Sequence, residues 1–115
     1  MTPERLRAMY AAIDANAWSA LEEFLDPEVV YRRPGYAPLD GAAEVLHFYR
    51  HVRIIGSGTH TLRSIVAGPT ELASFGVFVG HARDGTPLRE EFADYFQCRD
   101  GRVVGRQSYF FRPAV

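Results

Sequence analysis

The sequence predicts an α+β domain in which three N-terminal helices lie on one strongly curved antiparallel sheet, forming a cone-shaped α+β barrel. Three observations carry that expectation. Apolar residues recur at helical spacing only up to Val52. Beyond the Gly56-Ser57-Gly58 loop come four strand-like runs, roughly 59–67, 71–83, 87–98 and 102–112, divided by Gly68-Pro69, Asp84-Gly85 and Asp100-Gly101. These runs exceed the usual strand length, so the sheet must twist strongly and curl around a cavity. Helices first and consecutive hairpins afterwards argue against alternating βαβ units.

Thr2 as N-cap, Pro3 in the first helical position and Glu4 in the positive first turn start the first helix. Its apolar stripe is Leu6, Met9, Tyr10 and Ile13, which turns Tyr10 inward. A second short helix carries Trp18, Leu21 and Leu25 and stops at Asp26-Pro27, because proline disfavours helical geometry in the residue before it. A strand over 29–33 ends at Pro34-Gly35. Asp40-Gly41 opens the third helix, whose stripe is Val45, Phe48, Tyr49 and Val52.

At 115 residues the chain is one domain, 1–115, with one core. All 13 basic residues are arginine. With no lysine there is no Schiff-base chemistry, no pyridoxal aldimine and no P-loop. A net charge of −1 with both signs interspersed offers no basic stripe for nucleic acid or an anionic membrane. The single Cys98 excludes an internal disulfide, and the charged, helical first segment reads as no signal core, so a cytoplasmic setting is expected. Neither a metal nor a cofactor is expected.

The turns set which residues face the cavity. A two-residue turn at Asp84-Gly85 places Val79 opposite Glu90, Val77 opposite Phe92 and Phe75 opposite Asp94 on the inner side. The same parity turns Phe96 and His81 inward, His81 at the mouth. Glu91, Ala93, Tyr95 and Gln97 form the opposite face. For the last hairpin, a two-residue turn turns Gly105, Gln107 and Tyr109 inward, whereas a three-residue turn with a glycine bulge turns in Val104, Arg106, Ser108 and Phe110.

Asp94 is the sharpest chemical candidate, because a mid-strand carboxylate among aromatics must be paired or have its pKa raised. Either outcome suits acid/base work. Tyr10 and Tyr49 lie on buried helix stripes, and their hydroxyls need partners, which would suit an oxyanion hole. An inward Arg33 demands an anion, either Asp94 or a substrate carboxylate. His47 and His51 fall on the solvent side of their helix, away from any metal-binding arrangement.

Leu25-Asp26-Pro27-Glu28-Val29-Val30-Tyr31, Asp40-Gly41, Phe48-Tyr49 and Asp100-Gly101-Arg102-Val103-Val104, in that order of elements, resemble the nuclear transport factor 2-like superfamily. The chain is most similar to its ketosteroid isomerase and SnoaL-like polyketide cyclase branch. The resemblance implies that Tyr10 donates to a substrate oxyanion with Tyr49 bonded to it, that Phe48 lines the pocket and that Asp94 completes the oxyanion hole. It favours the register with Arg106, Ser108 and Phe110 inward, where Asp94 gains Arg106 as a neighbour. Arg33 stands where the isomerase keeps its general base, and Ser108 where cyclases and limonene-epoxide-hydrolase type enzymes keep an acid.

The expected function is therefore a small cofactor-independent isomerase, cyclase or hydrolase acting on an apolar polyketide- or steroid-like carbonyl compound. Asp94 would be the acid/base and Tyr10 the oxyanion donor. The alternatives are a non-catalytic binder of a hydrophobic small molecule, or an association domain. A homodimer is expected through Tyr95, Gln97, Tyr109 and Phe111 on the outer sheet face. A pocket closed by packed side chains, or an Asp94 fully satisfied by arginines and out of reach of any ligand, would count against the enzyme reading and for the binding module.

Overall fold

Thr2 caps the first helix as its position suggests: its hydroxyl accepts the Arg5 amide at 3.1 Å, and Pro3 sits in the first turn. In the computed structural model, which describes residues 1–113 and 115, this helix is α1 (Pro3–Asp14), followed by α2 (Trp18–Glu22). Then come β1 (Leu25–Arg32), β2 (Leu39–Asp40) and α3 (Ala42–His47). Four long strands complete the chain: β3 (Ile55–Ala67), β4 (Glu71–Ala82), β5 (Pro87–Arg99) and β6 (Arg102–Phe110).

Two local features depart from the sequence pattern. Leu25 opens β1 rather than closing α2, since it pairs with Val103, and the Asp26-Pro27 step kinks the strand instead of ending a helix. The Asp26 carboxylate accepts the Glu28 amide at 2.9 Å at that kink. After α3 the chain makes a π turn over Phe48–Val52, closed by the Arg53 amide on the Phe48 carbonyl at 2.9 Å. The wider turn rotates Val52 out of the apolar stripe, leaving it 47% exposed, and brings Arg53 inside.

The six strands form an open sheet in the order β2-β1-β6-β5-β4-β3. The helices pack on its concave side, as the fold class predicts. One pairing differs from an all-antiparallel sheet: β1 runs parallel to β6, so the sheet is mixed. The cone stays unclosed, with β2 and β3 as its edges.

The β4–β5 register differs by one residue from the expected one. The Ala82 amide bonds to the Thr86 carbonyl at 2.8 Å, so the loop holds three residues, with Gly85 supplying a φ of +90°. Ser74 therefore faces Asp94, Gly76 faces Phe92 and Phe78 faces Glu90. Because side chains alternate, this slip moves Phe75, Val77 and His81 out of the cavity to the outer face, and Phe75 is 44% exposed.

In the β5–β6 hairpin the two readings combine. Asp100 (φ +53°) and Gly101 (φ +75°) make a two-residue turn, with Arg99 opposite Arg102. An extra residue then bulges between Val103 and Gly105, so Arg106 and Ser108 face inward. Val103, not Val104, is the fully buried residue at the bulge.

Leu6, Met9 and Ile13 from α1 pack with Val29, Phe96 and Val103 of the sheet, all at most 1% exposed. The large rings of Tyr31, Phe48 and Tyr49 are also fully buried and fill much of the cone. Among the described residues, no helix is long and apolar enough to cross a membrane.

Candidate functional site

Inside the cone lies a polar network centred on Asp94, which is 2% exposed. Its position on β5 between Phe92 and Phe96 aims it inward. The Tyr10 hydroxyl donates to Oδ2, Arg106 donates to the same oxygen at 2.8 Å, and the Ser108 hydroxyl donates to Oδ1. Ser108 has spent its only proton, so the Tyr31 hydroxyl, 2.8 Å away, must donate to it. By the same count Ser74 donates to the Tyr10 oxygen at 2.8 Å. All these hydroxyl protons point toward one carboxylate.

The charges follow from that geometry. Burial pushes the Asp94 carboxyl up, but the Arg106 charge and the bonds from Ser108, Tyr10 and Arg106 outweigh it and hold its pKa below the ordinary value. Asp94 is ionised. Burial, then the Asp94 charge, raises the Tyr10 phenol well above its usual range. Burial also pushes Tyr31 up to about 12. Tyr49 moves the other way: burial raises it, yet Arg106, Arg33 and Arg53 together bring it below the ordinary phenol value.

Tyr49 does not bond to Tyr10, contrary to the resemblance. Its oxygen accepts from Arg106 at 2.8 Å, and its ring stacks on Trp18 at 5.2 Å. Its hydroxyl proton is bound by no acceptor among the described residues. The innermost cavity, about 20 Å³, is lined by Tyr49 but not by Tyr10, whose hydroxyl is sealed between Asp94 and Ser74. That volume admits roughly one water molecule.

Three arginines share this wall: Arg33, Arg53 and Arg106, exposed by 8%, 4% and 8%. Arg106 is paired with the Asp94 carboxylate, whereas Arg53 has no carboxylate partner among the described residues. Arg33 donates to the Tyr31 hydroxyl and to a backbone oxygen of Val115, the last residue of the sequence, both at 2.5 Å, and lies over the rings of Phe48 and Phe110. Arg53 donates to Asn16 at 3.2 Å and stacks over Trp18 and Tyr49. Burial, joined by repulsion from Arg33, lowers the pKa of Arg53. The other acid of the wall, Glu90, is held by Arg112.

Of the residues expected to form the site, the cavity wall takes Asp94, Tyr49, Arg33, Arg106, Phe92 and Phe110. Phe48, Phe96 and Ser108 are buried just behind it, whereas Phe75, Val77 and His81 lie outside. Arg53, Tyr31 and Ser74 escaped sequence reasoning, and the sequence left the role of His60 undecided. Nothing in the local pattern marks Arg53, which follows the helix stripe only because of the π turn, but the inward parity of His60 opposite Phe78 is a readable signal once the strand is placed. His47 and His51 are exposed, as their helix face predicts.

A half-open sheet curled around a polar interior and backed by three helices is the architecture of nuclear transport factor 2-like, ketosteroid isomerase-like proteins. A Catenulispora acidiphila protein of ketosteroid isomerase-like fold, solved with trimethylamine, superposes with a TM-score of 0.83 at 20% identity, over 95% of this chain and 86% of that one. An epoxide hydrolase of M. tuberculosis, described as LEH-like, gives 0.81 at 15% identity over 93% and 80%. IdmH of Streptomyces antibioticus, assigned as a polyketide cyclase, gives 0.77 at 20% identity over 94% and 90%. No curated protein sequence matches the chain. The SnoaL-like domain family matches residues 6–106, and the chain belongs to that family.

Proposed function

We propose that the protein binds a small carbonyl compound bearing a negative charge, held by the arginines of the cone with Tyr49 as the hydroxyl donor. The observation that carries this reading is Arg53: a buried guanidinium group on the cavity wall with no carboxylate partner among the described residues. A buried, unpaired charge is costly, and arginine cannot escape by losing its proton. The Nε atoms of Arg33 and Arg53 are also buried without a hydrogen-bond partner among the described residues. Such a ligand differs from the wholly apolar one expected from the sequence. The innermost space, about 20 Å³, is that of one water molecule, so binding such a ligand requires side chains of the wall to part.

Asp94 then serves as the counter-ion that orders Arg106 and Tyr10, since a carboxylate saturated by three donors is a poor proton acceptor. That arrangement, with a cavity of about 20 Å³, counts against the enzyme reading and favours a binding module. A reducing cytoplasm suits the buried, lone Cys98 thiol.

The test is a thermal-shift titration with acetate and pyruvate. Both should raise the Tm of the native chain in a saturable way, and Arg53→Met should abolish the shift without lowering the Tm of the ligand-free protein. Equal shifts in both proteins would refute the reading.

A homodimer through the outer sheet face is a second proposal, supported by the register itself. Phe75, Val79 and Tyr109 are 44%, 53% and 53% exposed there. Sedimentation velocity at micromolar concentration should give a dimer that Val79→Glu converts to monomer; a native monomer would rule it out.

A further inference from the structure

We propose that the solvent-facing cleft between the α1–α2 turn, the π turn and the start of β3 is an anion site distinct from the cone, one that takes a phosphate group. Its wall brings three guanidinium groups, those of Arg50, Arg53 and Arg83, beside Asn16, Trp18 and Tyr49. No carboxylate joins that wall among the described residues. The cleft offers about 70 Å³ against about 20 Å³ inside the cone, and Asn16, Arg50 and Arg83 at its rim are exposed. A small oxyanion therefore enters it without any part of the cone moving.

Arg53 is the buried member of the cleft, 4% exposed, and its guanidinium group is placed by residues of the cleft itself. Nη2 donates to Oδ1 of Asn16 at 3.2 Å, and the guanidinium carbon lies 5.2 Å from the Trp18 ring centre and 4.9 Å from that of Tyr49. Among the described residues Asn16 is the one side chain that accepts from Arg53, which carries five N–H donors. Asn16 in turn donates to the Gly56 carbonyl at 3.3 Å, which ties the α1–α2 turn to β3. On the far wall Arg83 donates to the carbonyls of Arg53, Tyr49 and Arg50 at 2.7, 3.3 and 3.0 Å, and so caps the π turn. Burial, and behind it repulsion from Arg33 and Arg83, lowers the pKa of Arg53, a strain that an anion in the cleft relieves.

A purely structural role accounts for the bonds of Arg83 and for the stacking of Arg53 on two rings. It gives no reason for three guanidinium groups to converge without an acid, since Asp14 is held by His60 and Asp84 by the Thr86 amide. A phosphate group carries about −1.5 to −2 charges at pH 7 and accepts several planar N–H pairs at once, which suits three arginines better than a single carboxylate does. The site goes beyond the carbonyl anion of the cone. Arg53 and Tyr49 line both spaces, whereas Arg50 and Arg83 line the cleft and not the cone cavity.

Trp18 is the single tryptophan of the chain, so its fluorescence reports on the cleft. Potassium phosphate titrated into the full chain at pH 7 and constant ionic strength should change that emission saturably and raise the Tm with the same midpoint, whereas potassium chloride should do neither. Arg50→Gln should weaken phosphate at least about tenfold. Its side chain bonds to no described residue, so the ligand-free variant should keep the native Tm, and the acetate shift assigned to the cone should survive in it. Methyl phosphate separates the two sources of the group: tighter binding than inorganic phosphate assigns the site to a phosphorylated small molecule, and equal or weaker binding assigns it to the free ion. If phosphate leaves the Trp18 emission unchanged, or Arg50→Gln binds it as tightly as the native chain, the cleft assignment is overturned whatever acetate does. If Arg50→Gln loses the acetate shift together with the phosphate response, both anions bind in the cleft, and the reading of the cone fails while the cleft stands.

Discussion

Asp94→Asn should destabilise the protein by about 3–5 kcal/mol, the range for breaking a buried ion pair from one side. Tyr10 and Arg106 both donate to Oδ2, so an amide nitrogen there meets two donors, while an amide oxygen there leaves Ser108 facing a donor instead. Arg106 would also keep its charge at 8% exposure with no counter-ion. For a chain of 115 residues this is a fall in Tm on the order of 12–20 °C. Arg106→Met should cost a similar amount, and the double variant much less than the sum, because both singles remove the same pair.

The pH dependence has a definite sign. The Asp94 pKa is depressed in the fold, so its contribution is complete above the ordinary carboxylate value and is lost as pH falls through the lower, folded value. The native chain should therefore lose stability in acid along a limb that Asp94→Asn lacks. Urea unfolding from pH 7 to pH 3 reads both effects; a variant within about 1 kcal/mol of the native chain at pH 7 would sink this account of the network.

The second large effect is expected at Gly76. A Cβ placed there would sit 2.2 Å from the Thr61 carbonyl oxygen and 3.1 Å from its carbon, both atoms of the β3 backbone. No side chain can move aside to make room. Gly76 pairs with Leu62 beside an irregularity in the β3–β4 register, where the hairpin bends around the cavity. Gly76→Ala should cost about 3 kcal/mol, or roughly 10 °C in Tm. Gly85→Ala is the informative contrast, since Gly85 has φ +90° but nothing within 4 Å of the point a methyl group would occupy. It should cost about 1 kcal/mol through backbone strain alone. Should the two substitutions prove equally costly, close strand approach is not what Gly76 provides.

Much of the fold was legible because its signals are local. Thr2, Pro3 and the stripe through Tyr10 specify α1, and Asp84-Gly85 and Asp100-Gly101 specify where the sheet turns. Asp94 could be turned inward from the alternation of its own strand with Phe92 and Phe96, whatever the hairpin register. Loop length was not legible: an Asp-Gly pair serves a two-residue turn at Asp100 and a three-residue loop at Arg83, and one residue's difference exchanges Phe75 for Ser74 inside the cone. The site's other members depend on distant partners. Tyr31 reads as an ordinary strand aromatic until Ser108, 77 residues later, is beside it. Arg53 reads as a surface cation until the π turn folds it between Trp18 and Tyr49.

The pairing of β1 with β6 also has a consequence for how the chain is made. The first strand to leave the ribosome waits for the last, because its neighbour in the finished sheet is β6. Until then Tyr31 has no Ser108 and Tyr10 no complete acceptor network, so the N-terminal helices emerge with polar groups that only the final hairpin satisfies. Such distant pairing delays folding until β6 has been made, and during that interval the unpaired edge of β1 is exposed to other chains.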